Sequence, residues 1–170
     1  SSFLEGDLLD FVMARMKSHF QDAFGGEIVA AVFATGLDCP VSLEGRMKAM
    51  RQLSQSENFS DMRATFKRVM GLTKEHTSTS ITGVVWVHPT EEALVEQFST
   101  VHTEVQLFVE AQQFSEALSC LSTLKEPIDA LFDAVMVMDE DLTIRSNRLS
   151  LLKTIADAFR QFADFTILST

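Results

Sequence analysis

Apolar side chains recur at steps of three and four residues along most of this sequence. Leu4, Leu8 and Phe11 begin one such stripe, which continues to Phe20, and a similar stripe ends at Phe162. The spacing places apolar residues on one face of an α-helix, where they can be buried together. Because only three prolines and seven glycines occur in 170 residues, we predict an all-α helical bundle of about six to seven helices.

Several predicted helix ends carry residues with known end preferences. Gly25-Gly26 is expected to end the first helix, since glycine is common just after a helix C-terminus. Ser42 is expected to begin the third helix as its N-cap. Pro127 suits the first position of a later helix.

The segment HTSTSITGVVWVHP, residues 76–89, interrupts the helical pattern. It is rich in Thr, Ser and Val, and Gly83 and Pro89 punctuate it. We predict an irregular surface loop that docks Val85 and Trp86 on the core. A two-strand element is the weaker alternative.

The composition fits one folded domain. Apolar residues make up 46% of the chain and charged residues 22%, which permits a sizeable core. We expect a single domain over residues 1–170, with N-terminal helices in 1–75, the loop, and C-terminal helices in 90–170. The chain starts with Ser1 rather than Met, so we expect a fragment of a longer protein.

The two cysteines, Cys39 and Cys120, lie far apart and form no CxxC motif. This pattern favours core thiols in a reducing compartment over a disulfide framework or a zinc site. No apolar run approaches the length of a membrane span, and no signal peptide is recognisable.

The net charge of −10 at first argues against a nucleic-acid partner. The charge is unevenly distributed, however. Residues 46–75 hold seven basic and three acidic side chains, a net charge of +4. Residues 145–170 hold four basic and two acidic side chains, a net charge of +2, whereas 76–144 has a net charge of −11. A basic surface can therefore exist if the fold brings the two positive segments together.

Motifs of common enzyme classes are absent. The sequence has no Gly-rich phosphate loop, no GxSxG and no HExxH. The four histidines lack metal-like spacing, so we interpret them as surface or helix-end imidazoles. Asp129 and Asp133 stand one helical turn apart, and we favour a solvated or ion-paired face over a catalytic carboxylate pair.

The C-terminal third carries the most specific signal. It reads ALFDAVMVMDED (130–141), RSNRLSLL (145–152) and ADFTIL (163–168). This resembles the C-terminus of bacterial-type glycyl-tRNA synthetase beta subunits, which end in an all-helical anticodon-binding domain of the DALR class. Four upstream segments resemble the same family in order and spacing: GDLLDFVMARMKSHF (6–20), EIVAAVFA (27–34), GRMKAM (45–50) and FKRVMGL (66–72).

The sequence also departs from that family. The segment that gives the DALR class its name reads Leu142-Thr143-Ile144-Arg145, so only the arginine is kept. Gly71-Leu72 stands where the family often has Asn-Ile, and the loop at 76–89 is not closely similar.

The resemblance implies recognition of tRNA(Gly) in support of the ATP-dependent attachment of glycine to that tRNA. It implies no catalytic residue, metal or cofactor in this fragment; ATP, with Mg²⁺, would act at the aminoacylation site of the parent enzyme. The implied partners are tRNA(Gly), an alpha subunit or fused alpha region, and the rest of the beta subunit, with neither membrane nor DNA. The implied location is the cytoplasm, or an organelle with a bacterial-type enzyme.

Glycine anticodons end in two cytosines, whose edges are accessible in an unpaired loop. Arg and Asn can donate to cytosine acceptors, and phosphates require cations. The candidate tRNA-binding residues are Arg145, Asn147, Arg148, Lys67, Arg68, Arg63, Arg46 and Lys48.

Two alternatives stay open. Arg145 and Arg148 extend the apolar stripe of the last helix, so they are also candidates for structural pairing with Asp133, Asp139 or neighbouring acids. A turn whose carboxylates hold the start of that helix would explain this arrangement. The strongly acidic segment 76–144 also fits a second function, a helical assembly module with little RNA contact.

Overall fold

The computed structural model describes residues 2–36 and 41–169. Within these residues the secondary structure is entirely helical, which confirms the predicted all-α fold. The elements are α1 (Ser2–Phe24), α2 (Gly26–Phe33), α3 (Leu43–Ser54), α4 (Phe59–Thr73), α5 (Pro89–Glu110), α6 (Phe114–Ser122), α7 (Lys125–Ala134), α8 (Leu142–Arg160) and the 3₁₀ turn η1 (Phe165–Ile167). The described residues thus form eight α-helices, close to the predicted number of about six to seven, and only two residues separate α6 from α7.

The helix ends follow from local chemistry. Gly25 has φ +88° between α1 and α2, a conformation that favours glycine. The Ser42 side chain accepts a hydrogen bond from the Gly45 amide, as expected of an N-cap. Pro127 is the third residue of α7 rather than the first. A proline fits there equally well, because the first-turn amides of a helix have no acceptor within it.

An aromatic cluster fixes α4 against α8 and η1. The rings of Phe66 and Phe159 lie 4.0 Å apart between centroids, and Phe165 packs edge-on at 5.6 and 5.7 Å from them. All three side chains are buried. Around this core α5 contacts α6, α7 and α8, whereas α1 lies at the periphery on α2 and α3. The cluster therefore determines which exposed residues of α4 and α8 are neighbours.

The segment between α4 and α5 is irregular, as predicted, and contains no strand among its residues. Trp86 packs against the core, but Val85 is 84% exposed, so only half of the predicted docking is correct. Neighbouring side chains of an extended chain point to opposite sides, which explains the difference. A hydrogen bond between His76 and Ser150 (2.9 Å) and one from the Thr154 hydroxyl to the Thr79 carbonyl (3.3 Å) hold the segment on α8.

In the part of the chain that the structure describes, no helix is both long and apolar enough to cross a membrane. The same part contains no group of three or more His, Cys, Asp and Glu side chains suited to a metal ion. Cys120 is a free, partly buried thiol. Cys39 lies outside the described residues.

Candidate nucleic-acid interface

A groove of about 510 Å³ runs between α4 and the C-terminal end of α8. Its lining residues are Lys67, Met70, Gly71, Lys74, Arg160, Asp164 and Thr166. Three of these are cationic and one is a carboxylate, so the groove carries a net positive charge. The groove joins the two basic segments of the sequence on one surface.

Helical spacing explains why these cations meet. Phe66 and Phe159 face each other in the core, so the next residues along the chain, Lys67 and Arg160, emerge side by side. Lys74 follows Lys67 by two helical turns and lies on the same side of α4. Arg63 precedes Lys67 by one turn and extends the cationic row.

Hydrogen bonds order the floor of the groove. Lys67 donates to the carbonyl of Leu168 at 2.9 Å, and Arg160 lies 3.7 Å from the Asp164 carboxylate. Asp164 also accepts hydrogen bonds from the Thr166 amide and hydroxyl. Lys74 is exposed and has no carboxylate within 4.0 Å among the described residues. Its charge is therefore available to an anion in the groove.

Glu27 lies close enough to this row to respond to it. Hydrogen bonds from Ser169 lower the pKa of the Glu27 carboxyl, and the positive charges of Arg63 and Lys67 lower the pKa further. Glu27 is thus anionic at neutral pH and partly offsets the charge of Arg63 and Lys67.

Arg68 lies on another side of α4, towards α7. Its guanidinium carbon is 3.9 Å from the centroid of the Phe132 ring. The α7 helix is held beside α4 by Asp129, which accepts a hydrogen bond from Thr65 (2.7 Å) and pairs with Lys125 (2.5 Å). The hydrogen bond that Lys125 donates to Asp129 raises the pKa of the Lys125 ammonium. Asp129 is therefore ion-paired, in agreement with the favoured interpretation.

Arg148 is buried and belongs to the fold. Its Nε lies 2.5 Å from the Glu91 carboxylate, and its Nη1 donates to the Met136 carbonyl (2.7 Å) and to Asp139 (3.1 Å). Since the residue is only 4% exposed, RNA has no access to its guanidinium. Arg148 is thus withdrawn from the predicted tRNA-binding set, and the structural alternative applies.

Arg145 and Asn147 are half-buried near the start of α8. Arg145 donates through Nε to the Asp139 carbonyl at 2.7 Å, and its terminal nitrogens form no hydrogen bond within the described residues. Asp141 caps the helix by accepting from the Thr143 and Ile144 amides. The expected turn, whose carboxylates hold the helix start, is therefore present.

These residues are remote from the groove. Arg145 precedes Arg160 by fifteen residues on one helix, which is about 22 Å at 1.5 Å per residue. The surroundings of the helix start also differ, because Met136, Met138 and Leu142 are exposed there. The structure thus separates a cationic groove from a second surface with free donors and apolar side chains.

Arg46 has no exposed surface, which contradicts its predicted contact with RNA. Its guanidinium donates to the Val32 and Gly36 carbonyls and to the Thr35 hydroxyl, and so joins α3 to the end of α2. Lys48 is exposed on α3 and pairs with Glu44 at 3.0 Å. It is not among the residues that line the groove.

Lys74 and Thr166 were missing from the predicted set although they line the groove, whereas Arg160 lies in the basic segment 145–170 whose cations were expected to contribute to such a surface. Lys74 could have been found from its helical spacing to Lys67. The positions of Arg160 and Thr166 in the groove depend on how α8 and η1 pack against α4. No local signal in the sequence shows that these two residues lie beside α4.

Comparison with known proteins places this geometry in a family. Residues 62–165 match the family model described as the DALR anticodon binding domain. The chain is 33% identical over 159 residues to the glycine–tRNA ligase beta subunit of Geotalea daltonii, covering 94% of the chain and 23% of the relative. It is 32% identical over 169 residues to the protein of that name from Vibrio atlanticus, covering 97% of the chain and 25% of the relative.

The chain therefore spans about a quarter of the length of the curated relatives it matches. The segment matched by the family model begins in α4 and ends in η1, so it contains most of the groove and the start of α8. Since that segment makes up more than half of the chain, the chain belongs to the family of DALR anticodon binding domains.

Proposed function

We propose that this chain recognises the anticodon of tRNA(Gly) as one domain, residues 1–170, of a glycine–tRNA ligase beta subunit. The observation that carries the proposal is the cationic groove of Lys67, Lys74 and Arg160, most of which lies within the segment matched by the family model. We propose glycine as the amino acid and tRNA(Gly) as the RNA because the relatives are named glycine–tRNA ligase beta subunit.

The cationic groove and the start of α8 have different chemistry and would bind different parts of the RNA. The groove offers ammonium and guanidinium groups, which suit phosphates. Arg145 and Asn147 offer donors that suit the O2 and N3 acceptors of cytosine. Arg63, Lys67 and Arg68 remain in the proposed set, whereas Lys48 lies on α3 with a carboxylate partner of its own.

The catalytic step would take place elsewhere in the ligase. ATP, with Mg²⁺, would be used at an aminoacylation site outside this chain. The proposed protein partners are an alpha subunit, or a fused alpha region, and the remainder of the beta subunit. The proposed location is the cytoplasm or an organelle in which tRNA(Gly) is charged.

Binding of the chain to a glycine anticodon stem-loop tests this function. Each of the two anticodon cytosines is replaced in turn by uracil, which exchanges the N3 acceptor for an N3–H donor and the N4 donor for an O4 acceptor. We expect weaker binding of each uracil variant at moderate salt. Equal binding of all three RNAs, or no binding, would overturn the proposal.

A second candidate function, assembly, is favoured by the exposed apolar face of α1. Leu8 and Phe11 are 63% and 58% exposed, and Leu4, Leu9 and Val12 are exposed beside them. We propose that this face packs on the part of the beta subunit outside this chain, because the curated relatives are about four times as long.

The double variant Leu8→Ser and Phe11→Ser tests this contact. We expect it to bind the remainder of the subunit, supplied as a separate polypeptide, at least tenfold more weakly than the unchanged chain does. Its binding of the stem-loop should not change. Unchanged association with the remainder, or a dimer of this chain that the variant abolishes, would overturn the assignment.

A further inference from the structure

Arg68 forms the closest contact between a cation and an aromatic ring among the described residues. Its guanidinium carbon is 3.9 Å from the Phe132 centroid, whereas the other such contacts measure 4.9 to 5.7 Å. A carbon so near the centroid cannot lie beyond the edge of the ring, so it lies over the ring face. The guanidinium of Arg68 therefore has one side covered by Phe132.

The supporting ring is held firmly. Phe132 is half-buried and packs against the core. Its helix, α7, is tied to α4 by the hydrogen bond from Thr65 to Asp129, and Asp129 is in turn held by an ion pair with Lys125 one turn earlier on α7. The Arg68 side chain thus rests on a platform whose position is set by the fold.

Arg68 has no carboxylate partner in the described part of the chain. This distinguishes it from Lys125, Lys153 and Arg160, each of which lies within 4.0 Å of a carboxylate one helical turn away. Arg68 is also exposed. The side of its guanidinium away from Phe132 is consequently accessible and uncompensated in charge.

We propose that an unpaired nucleobase of the bound RNA loop stacks on the exposed face of the Arg68 guanidinium, with Phe132 on the other side. The inference rests on the proposed function and deepens it, since it assigns Arg68 to a base rather than to a phosphate. Unpaired bases commonly stack on arginine planes and on aromatic rings. Because every base has such a face, Arg68 contributes affinity and leaves base identity to edge contacts.

The variant Arg68→Lys separates the two modes of contact. Lysine keeps the positive charge, so a phosphate contact would be largely retained. It lacks the plane, so a stacked base would lose its support. Phe132→Leu offers a second route, because it keeps an apolar side chain but removes the ring beneath the guanidinium.

The experiment measures binding of the chain to the glycine anticodon stem-loop and to versions in which each unpaired loop nucleotide is made abasic in turn. We expect Arg68→Lys to weaken binding of the intact loop about tenfold, with an unchanged dependence of affinity on salt. The loss should vanish for the one abasic loop that lacks the stacked base. Phe132→Leu should weaken binding of the intact loop in the same way.

Arg51→Lys is the matched control, because Arg51 lies over the Phe24 ring at 4.9 Å on α3. It should bind every loop as the unchanged chain does, and circular dichroism should show that all variants are folded. Unchanged binding by Arg68→Lys, or a loss of equal size on every abasic loop, would overturn the inference.

The two proposals fail in different ways. If the unchanged chain distinguishes cytosine from uracil but Arg68→Lys has no effect, the stacking role is wrong and anticodon recognition stands. If the chain binds cytosine and uracil loops equally while Arg68→Lys shows the abasic-dependent loss, recognition of the glycine anticodon is wrong and the stacking role stands. Absence of any binding overturns both.

Discussion

Glu91 and Arg148 form a buried ion pair between the first turn of α5 and α8, with 2.5 Å between Oε1 and Nε. The second carboxylate oxygen of Glu91 accepts hydrogen bonds from the Val87 and His88 amides. Arg148 reaches Asp139 as well. The Glu91 carboxylate therefore joins the end of the irregular loop and the start of α5 to α8, and Arg148 joins them to the segment that leads into α8.

Replacing Arg148 with Met should strongly destabilise the fold. Glu91 is 1% exposed, so the variant leaves a buried carboxylate without its cation. We expect a loss of roughly 3–5 kcal/mol in the free energy of unfolding, measured by urea denaturation. Lys48→Met is the control, because the Lys48–Glu44 pair is exposed and should contribute less than about 1 kcal/mol. A similar small change in both variants would contradict the assigned role of Arg148.

Replacing Arg46 with Met should reduce stability without reducing RNA affinity. The variant removes the hydrogen bonds that Arg46 donates to the Val32 and Gly36 carbonyls and to the Thr35 hydroxyl. These hydrogen bonds are partly or fully buried, so water replaces them poorly. We expect a loss of roughly 2 kcal/mol, seen as a lower urea midpoint. Binding of the stem-loop, corrected for the folded fraction, should match that of the unchanged chain. Weaker binding by the folded variant would return Arg46 to the RNA-binding set.

The contrast between local and distant contacts shows what could be predicted from the sequence. The roles of Ser42 and Asp141 as N-caps follow from residues two or three positions away, so the pattern of residue types indicates them. The helical stripes are local in the same sense.

Arg46 and Arg148 illustrate the limit. Their partners include Val32, 14 residues away, and Glu91, 57 residues away. A basic residue inside a basic segment looks the same in sequence whether it turns into the core or out to solvent. The groove has the same limit, since Lys67 and Arg160 become neighbours only through the packing of Phe66 on Phe159.

Replacing Lys74 with Gln should weaken RNA binding and reduce its dependence on salt. Each cation that neutralises a phosphate releases counterions, so the slope of log affinity against log salt should fall by about one. Lys74 is the informative position because it has no carboxylate partner among the described residues, and its removal should barely change stability. Lys48→Gln, on α3, is the matched control and should leave the slope unchanged. An equal effect of both substitutions would indicate a diffuse charge effect rather than a groove contact.

The Cys120 thiol should react slowly near neutral pH. Burial raises its pKa to about 11, and the hydrogen bond to Glu104 and the charge of that carboxylate act in the same direction. Because the thiolate is the reactive form, the rate of alkylation by iodoacetamide should keep rising up to about pH 11.

The measurement uses a Cys39→Ser background so that only Cys120 reacts. Glu104→Gln should lower the pKa and speed the reaction at pH 8, while Glu110→Gln, on the same helix, serves as the control. A rate that levels off near pH 8.5, the usual range for a free thiol, would contradict the raised pKa.

The contacts of residues 164–169 affect how the chain can fold while a ribosome is still making it. The Asp164 amide donates to the Ala31 carbonyl at 2.8 Å, and the Ser169 amide donates to Glu27, 142 residues earlier. Helices α5 to α7 contact neighbours close in sequence and can assemble early. Helices α2 and α4, in contrast, can complete their packing on η1 only after residues 164–169 have left the exit tunnel. Until then the parts of α2 and α4 that pack on η1 are exposed to chaperones and proteases.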